Sequence, residues 1–73
     1  MTLYELINNT TIQGNVDITC FVDGIETDSE TFLHTDDLAS VSFPEEWEDY
    51  EVKYIWASND GYIHIEIYKE EDA

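Results

Sequence analysis

The sequence predicts a small α+β domain. We expect a four-stranded antiparallel sheet made of two hairpins, with an N-terminal helix and a short second helix, in the order α-β-β-α-β-β. Two stretches of alternating apolar and polar residues, 12–23 and 62–68, carry most of this prediction, because period two is the side-chain period of a strand. The Asp23-Gly24 pair between two apolar residues adds a tight hairpin turn. No stretch has the composition of a linker, so we expect a single domain, 1–73.

The first element is a helix that carries its own start signal. Thr2 and Glu5 have the spacing of a capping box, in which each side chain accepts from the backbone N–H of the other residue. Apolar residues then fall on one side of the helix, and Asn8-Asn9 is expected to end it. So short a helix is unstable alone in water, and we therefore expect it to pack on the sheet.

The first predicted hairpin combines an apolar row with an acidic row. One face of its first strand carries Ile12, Gly14, Val16, Ile18, Cys20 and Val22. The return strand is expected at 25–34, where Glu26, Asp28 and Glu30 line one face and Phe32 continues it. Alternate side chains on a strand repeat every roughly 6.6–6.8 Å, which is of the same order as the spacing of phosphates along one nucleic-acid strand.

The second half of the chain begins with turns and ends in a second hairpin. Residues 35–38 read as a capped turn or short helix, and Pro44 suits the first position of the second helix. The strand that follows, 50–56, is partly apolar on both faces, which favours a central strand or one with a bulge. Residues 58–61 form a turn before the last strand, and the tail, 69–73, is expected to fray.

Charge is the most unusual property of the chain. Eighteen Asp and Glu residues face two lysines, Lys53 and Lys69, which gives a net charge of −16. This field repels nucleic acid and anionic membranes, since both bind proteins through lysine and arginine. It favours basic proteins or cations as partners. The surfaces of ordinary soluble proteins mix positive and negative charges, so we interpret the acidity of this chain as functional. Two alternatives are a solvated acidic face that aids solubility and adaptation to high salt.

The densest acidic stretch is PEEWEDYE, residues 44–51, which holds five carboxylates and two large aromatic residues. Trp and Tyr are enriched at binding hot spots, so Trp47 and Tyr50 are expected to act as apolar anchors. A buried Trp47 would leave binding dependent on charge alone. The predicted partner-binding residues are Glu26, Asp28, Glu30, Asp36, Asp37, Glu45, Glu46, Trp47, Glu48, Asp49, Tyr50 and Glu51.

The other aromatic residues divide between core and surface. Five are expected in the core: Tyr4, Phe32, Phe43, Tyr54 and Trp56. Tyr62, His64 and Tyr68 share the face of the last strand that lies opposite its isoleucines. If no helix covers that face, we expect it to be a partner surface or a dimer face.

The sequence offers little for catalysis or metal binding. Cys20 lies on the apolar face of its strand, where a cysteine usually serves as a small buried hydrophobe. His34 and His64 have no zinc-site spacing, and no EF-hand loop is present. We therefore expect no enzymatic activity, no cofactor and no metal. A lone cysteine, with no visible signal peptide or membrane-spanning run, predicts a reduced, cytoplasmic setting.

The pattern EDYEVKYI (48–55), followed by a turn and IHIEI (63–67), resembles small acidic proteins carried by phages and mobile elements of Gram-positive bacteria. The start, MTLYEL (1–6), is similar in style. Some members of this broad class are anti-CRISPR or anti-restriction inhibitors, and several of those act as DNA mimics. The resemblance implies an inhibitor that acts in the bacterial host cell, and it assigns no residue roles.

The leading hypothesis is therefore an inhibitor that places its negative surface in the basic nucleic-acid-binding groove of a bacterial defence protein, such as a CRISPR effector. Its carboxylates would replace phosphate oxygens and pair with arginine or lysine. The alternative is a non-enzymatic phage or mobile-element accessory protein that dimerises through the aromatic sheet face, with its acidity serving solubility.

Overall fold

The structure, a computed structural model, describes residues 1–69, so residues 70–73 of the predicted tail lie outside the described residues. The described chain forms α1 (Leu3–Asn9), β1 (Gly14–Val22), β2 (Ile25–Thr35), a first 3-10 turn (Leu38–Ser40), a second 3-10 turn (Glu45–Asp49), β3 (Glu51–Ala57) and β4 (Tyr62–Lys69). The α+β class is confirmed. No helix within residues 1–69 has the length and apolar character needed to cross a membrane.

The four strands form one mixed sheet in the order β2-β1-β4-β3. The two hairpins are antiparallel, but β1 and β4 pair in parallel, so the prediction of a purely antiparallel sheet is wrong. The rows of buried apolar side chains on β1 and β4 explain why these two strands pair in parallel. Parallel pairing sets Ile18 of β1 beside Ile65 of β4, and Cys20 beside Ile67, which joins the most buried rows at the centre of the sheet. The segment 36–50 supplies the long connection that this arrangement needs.

One side of the sheet, which we call the covered face, holds the hydrophobic core. Leu3, Leu6 and Ile7 of α1 are buried over it. The two 3-10 turns complete this layer with the buried side chains of Leu38 and Trp47. The helix thus gains from the sheet the stability that its seven residues cannot supply alone.

Two local predictions from the sequence are confirmed. The Glu5 N–H donates to the Thr2 hydroxyl oxygen at 3.2 Å, and the Thr2 N–H donates to the Glu5 carboxylate at 2.9 Å, which completes the capping box. Asp23 and Gly24 have φ values of +53° and +80°, as the tight turn between β1 and β2 requires. Both signals act within a few residues, and for that reason they can be recognised without knowing the fold.

The predicted second helix is wrong in type. The segment Glu45–Asp49 forms only a 3-10 turn, and Pro44 stands at its cap rather than at its first position. The Trp47 N–H donates to the Pro44 carbonyl at 3.0 Å, and the Tyr50 N–H donates to the Trp47 carbonyl at 3.1 Å. These i to i+3 bonds define a 3-10 helix. Because β3 begins directly afterwards, the segment is too short for α-helical turns.

The predicted acidic row on β2 is broken by a bulge. Cys20 pairs with Asp28, whereas the next residue, Phe21, pairs with Glu26, so Thr27 is the extra residue. A bulge shifts the side-chain alternation by one position. Asp28 and Glu30 therefore lie on the covered side of the sheet, and Glu26 lies on the opposite side, which corrects the expectation of one row of three acids.

β3 lies at an edge of the sheet, so the expectation of a central strand is wrong, while the alternative expectation of a bulge is confirmed. Val52 pairs with Ile67, and Tyr54 pairs with Glu66, which leaves Lys53 as the extra residue. After this bulge Tyr54 lies on the side of the sheet opposite the core. Ile55 pairs with the buried Ile65 and returns to the covered side.

Candidate functional site

The fold brings carboxylates from two separate acidic segments together in what we call the acidic rim: Asp28, Glu30 and Glu46. Asp28 and Glu30 belong to β2, on the covered side of its edge, and Glu46 belongs to the second 3-10 turn. Burial raises the pKa of the Cys20 thiol, and the negative charges of Asp28 and Glu46 raise it further. Asp28 lies directly beside Cys20 in the pairing of β1 with β2, and Glu46 belongs to the turn whose Trp47 side chain packs into the same covered-face core, so both lie on this side of the molecule.

The remaining predicted acids are distributed more widely, and some have structural partners. Three share the second 3-10 turn with Glu46: Glu45, Glu48 and Asp49. Asp36 and Asp37 precede the first 3-10 turn, where the Ala39 N–H donates to the Asp37 carboxylate at 3.1 Å. Glu51 accepts from the Met1 ammonium at 2.8 Å, and this hydrogen bond raises the pKa of the amino group. Asp37 and Glu51 thus support the local fold.

Neither predicted aromatic anchor is a freely exposed side chain. Trp47 is 2 % exposed and belongs to the core, which corrects its assignment as a partner contact in this conformation. Its burial follows from the 3-10 turn, which turns the indole inward while the flanking carboxylates remain outside. Tyr50 is half-buried, packs against the core and has the Lys69 Nζ 5.9 Å from its ring centroid. Neither side chain therefore offers a freely exposed aromatic surface beside the acids.

The side of the sheet opposite the core, which we call the open face, has no fully buried side chain. The three residues predicted as a partner or dimer face lie here on β4: Tyr62, His64 and Tyr68. The Tyr68 ring stacks on Phe21 at 4.7 Å between centroids, and the His64 ring stacks on Trp56 at 5.0 Å. The aromatic side chains thus form two groups of ring contacts, one around Tyr68 and one around His64, on the same face of the sheet.

Tyr68 is the most highly connected ring of the open face. Besides stacking on Phe21, it meets Tyr54 edge to face at 6.2 Å, and the Lys53 Nζ lies 5.2 Å from its centroid. The Tyr68 hydroxyl donates to the Glu66 carboxylate at 2.9 Å. Desolvation and this carboxylate raise the pKa of the Tyr68 phenol. The open face therefore combines aromatic rings with negative charge.

Three aromatic residues that were predicted to lie in the core are exposed at the surface. Tyr4, Tyr54 and Trp56 are 54, 57 and 42 % exposed. The Lys53 bulge explains two of these errors, because it moves Tyr54 and Trp56 to the open face. The other two aromatic residues expected in the core, Phe32 and Phe43, do pack against it, and their rings meet edge to face at 6.4 Å.

A polar network beside the open face escaped sequence reasoning. The His64 Nε2 lies 3.0 Å from the Ser58 Oγ and 3.2 Å from the Asp60 carboxylate, and its Nδ1 lies 3.5 Å from the Asp17 carboxylate. Hydrogen bonds donated by Ser58 and by the Tyr62 N–H lower the pKa of Asp60. Ser58, Asp60, Tyr62 and His64 lie within the stretch 58–64, and the pairing of β1 with β4 adds Asp17.

This network contains the groups of a serine nucleophile but arranges them differently. A catalytic histidine must accept the serine proton. Here the Ser58 hydroxyl donates to the Asp60 carboxylate, and its oxygen lies 3.0 Å from the His64 Nε2. Asp60 also accepts from the Tyr62 N–H at 2.9 Å. The arrangement therefore fastens the turn between β3 and β4.

A shallow depression of about 490 Å³ lies next to PEEWEDYE. Its lining includes both lysines of the chain and the rings of Tyr50 and Tyr68 below them. Asp49 and Glu51 complete it. Its charges are mixed, unlike those of the acidic rim, and Tyr68 connects it to the open face.

Within residues 1–69 no group of three or more His, Cys, Asp or Glu side chains is placed to hold a metal ion. Cys20 is buried, and burial raises the pKa of its thiol, which disfavours the reactive thiolate. Its position on the covered face matches its predicted role as a small core residue.

Comparison of the chain with known proteins found no matching family model, no matching curated protein and no matching solved structure.

Proposed function

We propose that this protein is an acidic inhibitor that occupies a basic nucleic-acid-binding groove of another protein and acts as a mimic of DNA. The observation that supports this function best is the acidic rim, where β2 and the second 3-10 turn present carboxylates on one side of the molecule. A bacterial defence protein, such as a CRISPR effector, is the proposed class of target, because its function requires a basic channel for nucleic acid.

The proposed mechanism is electrostatic. The net charge of −16 attracts a basic groove over a long range and speeds encounter. At contact, the carboxylates of Asp28, Glu30 and Glu46 accept hydrogen bonds from arginine or lysine side chains that otherwise hold phosphates. Desolvation offsets much of the energy of each ion pair. Since Trp47 is in the core, we expect affinity to fall steeply as salt rises.

The experiment measures inhibition of target-DNA cleavage by a purified, guide-loaded CRISPR effector, together with direct binding, at low and high salt. We expect inhibition at low salt, competition with target DNA, and loss of binding as salt increases. The double variant Asp28→Asn/Glu46→Gln should weaken binding by about tenfold or more, because both substituted carboxylates belong to the rim.

The matched control is Asp17→Asn/Glu66→Gln, which removes the same charge from the open face. It should change binding much less than the rim variant. Equal weakening by both pairs would show that total charge, and not the rim, determines binding. Absence of binding at low salt would contradict CRISPR effectors as the target class.

A second candidate function is a non-enzymatic accessory protein that dimerises through the open face. The observation that favours it is the uncovered layer of Tyr62, His64 and Tyr68. Under this alternative, Tyr62→Glu should abolish a dimer that is insensitive to salt, while the rim substitutions should leave function unchanged.

A further inference from the structure

The outer edge of β3 is covered at its start and uncovered further along. The Val52 N–H donates to the Met1 carbonyl at 2.8 Å, and the Leu3 N–H donates to the Tyr50 carbonyl at 3.0 Å, so the N-terminal residues lie beside the beginning of the strand. Residues 54–57 follow, and no strand among residues 1–69 pairs with their outer side. We call residues 54–57 the free edge.

The free edge presents backbone groups in the pattern of an antiparallel ladder. The Ser58 N–H donates to the Tyr62 carbonyl at 3.2 Å, so Ser58 directs its backbone groups towards β4. Directions alternate along an antiparallel strand. Trp56 therefore also faces β4, whereas Ile55 and Ala57 direct their N–H and C=O groups outward. An added antiparallel strand could bond to both residues without any change in the sheet.

The side chains of the free edge are apolar on both faces of the sheet. Tyr54 and Trp56 lie on the open face, Ile55 lies on the covered side, and all three are more than two-fifths exposed. Residues 52–59 include no Asp or Glu, although the chain has eighteen acids, and they include Lys53. Long apolar strand edges are normally protected, since they recruit other strands.

We propose that the free edge pairs, antiparallel, with the free edge of a second copy of this chain. The distribution of charge favours a second copy of this chain as the partner. A basic partner gains no ion pairs from a segment without acids, whereas another chain of charge −16 can approach closely where acids are missing. The contact is self-complementary, as a two-fold dimer requires, and it joins the two sheets into one.

The register follows from the outward-facing residues. With the two-fold axis at Trp56, Ile55 of each copy pairs with Ala57 of the other copy and exchanges both backbone hydrogen bonds. The two Trp56 side chains then lie opposite each other on the continuous open face, where aromatic pairs add to stability.

This dimer does not depend on the acidic rim. The effect of salt distinguishes dimerisation from binding of a basic partner at the rim. Repulsion between two strongly negative chains opposes dimerisation, so screening should strengthen the dimer as salt rises. Binding of a basic partner should instead weaken. A failure of one proposal therefore leaves the other testable.

The test is sedimentation equilibrium of the full chain from low micromolar to millimolar concentration, at low and high salt. We expect a reversible dimer that becomes tighter at high salt. Ile55→Lys should raise its dissociation constant by about tenfold or more, because it removes an apolar side chain from the contact and places two like charges close to the two-fold axis. Hydrogen exchange should show that the Ile55 and Ala57 amides gain protection with concentration.

A second variant tests the backbone pairing without adding charge. Ala57→Pro removes an outward-facing N–H, which an edge strand tolerates in the monomer, and it should prevent dimerisation. The matched control for Ile55→Lys is Leu33→Lys on the opposite edge strand, β2, which should leave the dimer intact. Circular dichroism checks that every variant is folded.

Three results would overturn the proposal. The first is a monomer at every concentration and salt. The second is equal disruption by Leu33→Lys, which would indicate head-to-tail contact between the two sheet edges. The third is a dimer that is lost in Tyr62→Glu and retained in Ile55→Lys, which would place the contact on the open face.

Discussion

The covered face and the open face use the same strands in different ways. On the covered face, alternate residues of β1 and β4, such as Ile18 and Ile65, are fully buried under α1 and the 3-10 turns. On the open face, their sequence neighbours, such as Asp17 and His64, form polar and aromatic contacts at partial exposure. The comparison indicates that folding stability comes mainly from one face, and that the other face can vary with function.

The largest expected effect tests the covered face. Ile65→Ala leaves a cavity in the centre of the core, and we expect it to lower the free energy of unfolding by about 2–5 kcal/mol. Urea denaturation at neutral pH measures the change. The matched control is Ile25→Ala, which truncates a largely exposed isoleucine at the hairpin end. If both substitutions lowered the free energy of unfolding by the same amount, the covered face would not be the main source of stability.

A smaller effect is expected on the open face. Phe21→Leu keeps an apolar side chain and removes the ring that stacks on Tyr68 at 4.7 Å. We expect this substitution to lower the free energy of unfolding by about 0.5–1.5 kcal/mol. The same substitution in a Tyr68→Leu background should have almost no effect, because the stacking partner is already absent. An equal loss in both backgrounds would show that the stacked pair adds nothing beyond burial.

The smallest effect concerns the pH dependence of the network at the turn between β3 and β4. Hydrogen bonds from Ser58 and the Tyr62 N–H lower the pKa of Asp60 in the folded chain. Asp60 therefore contributes stability above the ordinary pKa of an unfolded aspartate, and this contribution is lost as pH falls through the lowered folded value. Asp60→Asn should slightly lower Tm at neutral pH, and the difference from wild type should disappear in acid.

Thermal unfolding across the acid range measures this dependence. Asp36→Asn, which removes an exposed carboxylate outside the network, serves as the control and should follow the wild-type profile. A constant difference between Asp60→Asn and wild type at all pH values would mean that the substitution acts through packing and not through ionisation.

Local signals in the sequence predicted much of the secondary structure. Thr2 and Glu5 identified the helix start, Asp23-Gly24 identified the first hairpin, and the isoleucines of β4 identified its buried side. Strand order was not predictable in the same way, because it depends on which apolar rows meet after a long connection. The parallel pair of β1 and β4 is decided by contacts between residues far apart in the chain.

The candidate site was harder to predict for a related reason. A bulge leaves no clear local signal, so Glu26, before the bulge at Thr27, and Tyr54 and Trp56, after the bulge at Lys53, were assigned to the wrong faces. Trp47 lies in a five-residue turn, which is too short for hydrophobic periodicity to indicate burial. The acidic rim itself depends on how β2 and that turn meet in the fold.

The N-terminal residues and the bulge at Lys53 together set the length of the uncovered edge of β3. The Met1 carbonyl accepts from the Val52 N–H, so the strand can be extended on its outer side only after the bulge. Very short edges are one of the ways in which sheet proteins avoid repeated strand addition. In the proposed dimer, an edge limited to residues 54–57 therefore favours a closed pair of chains over a fibre.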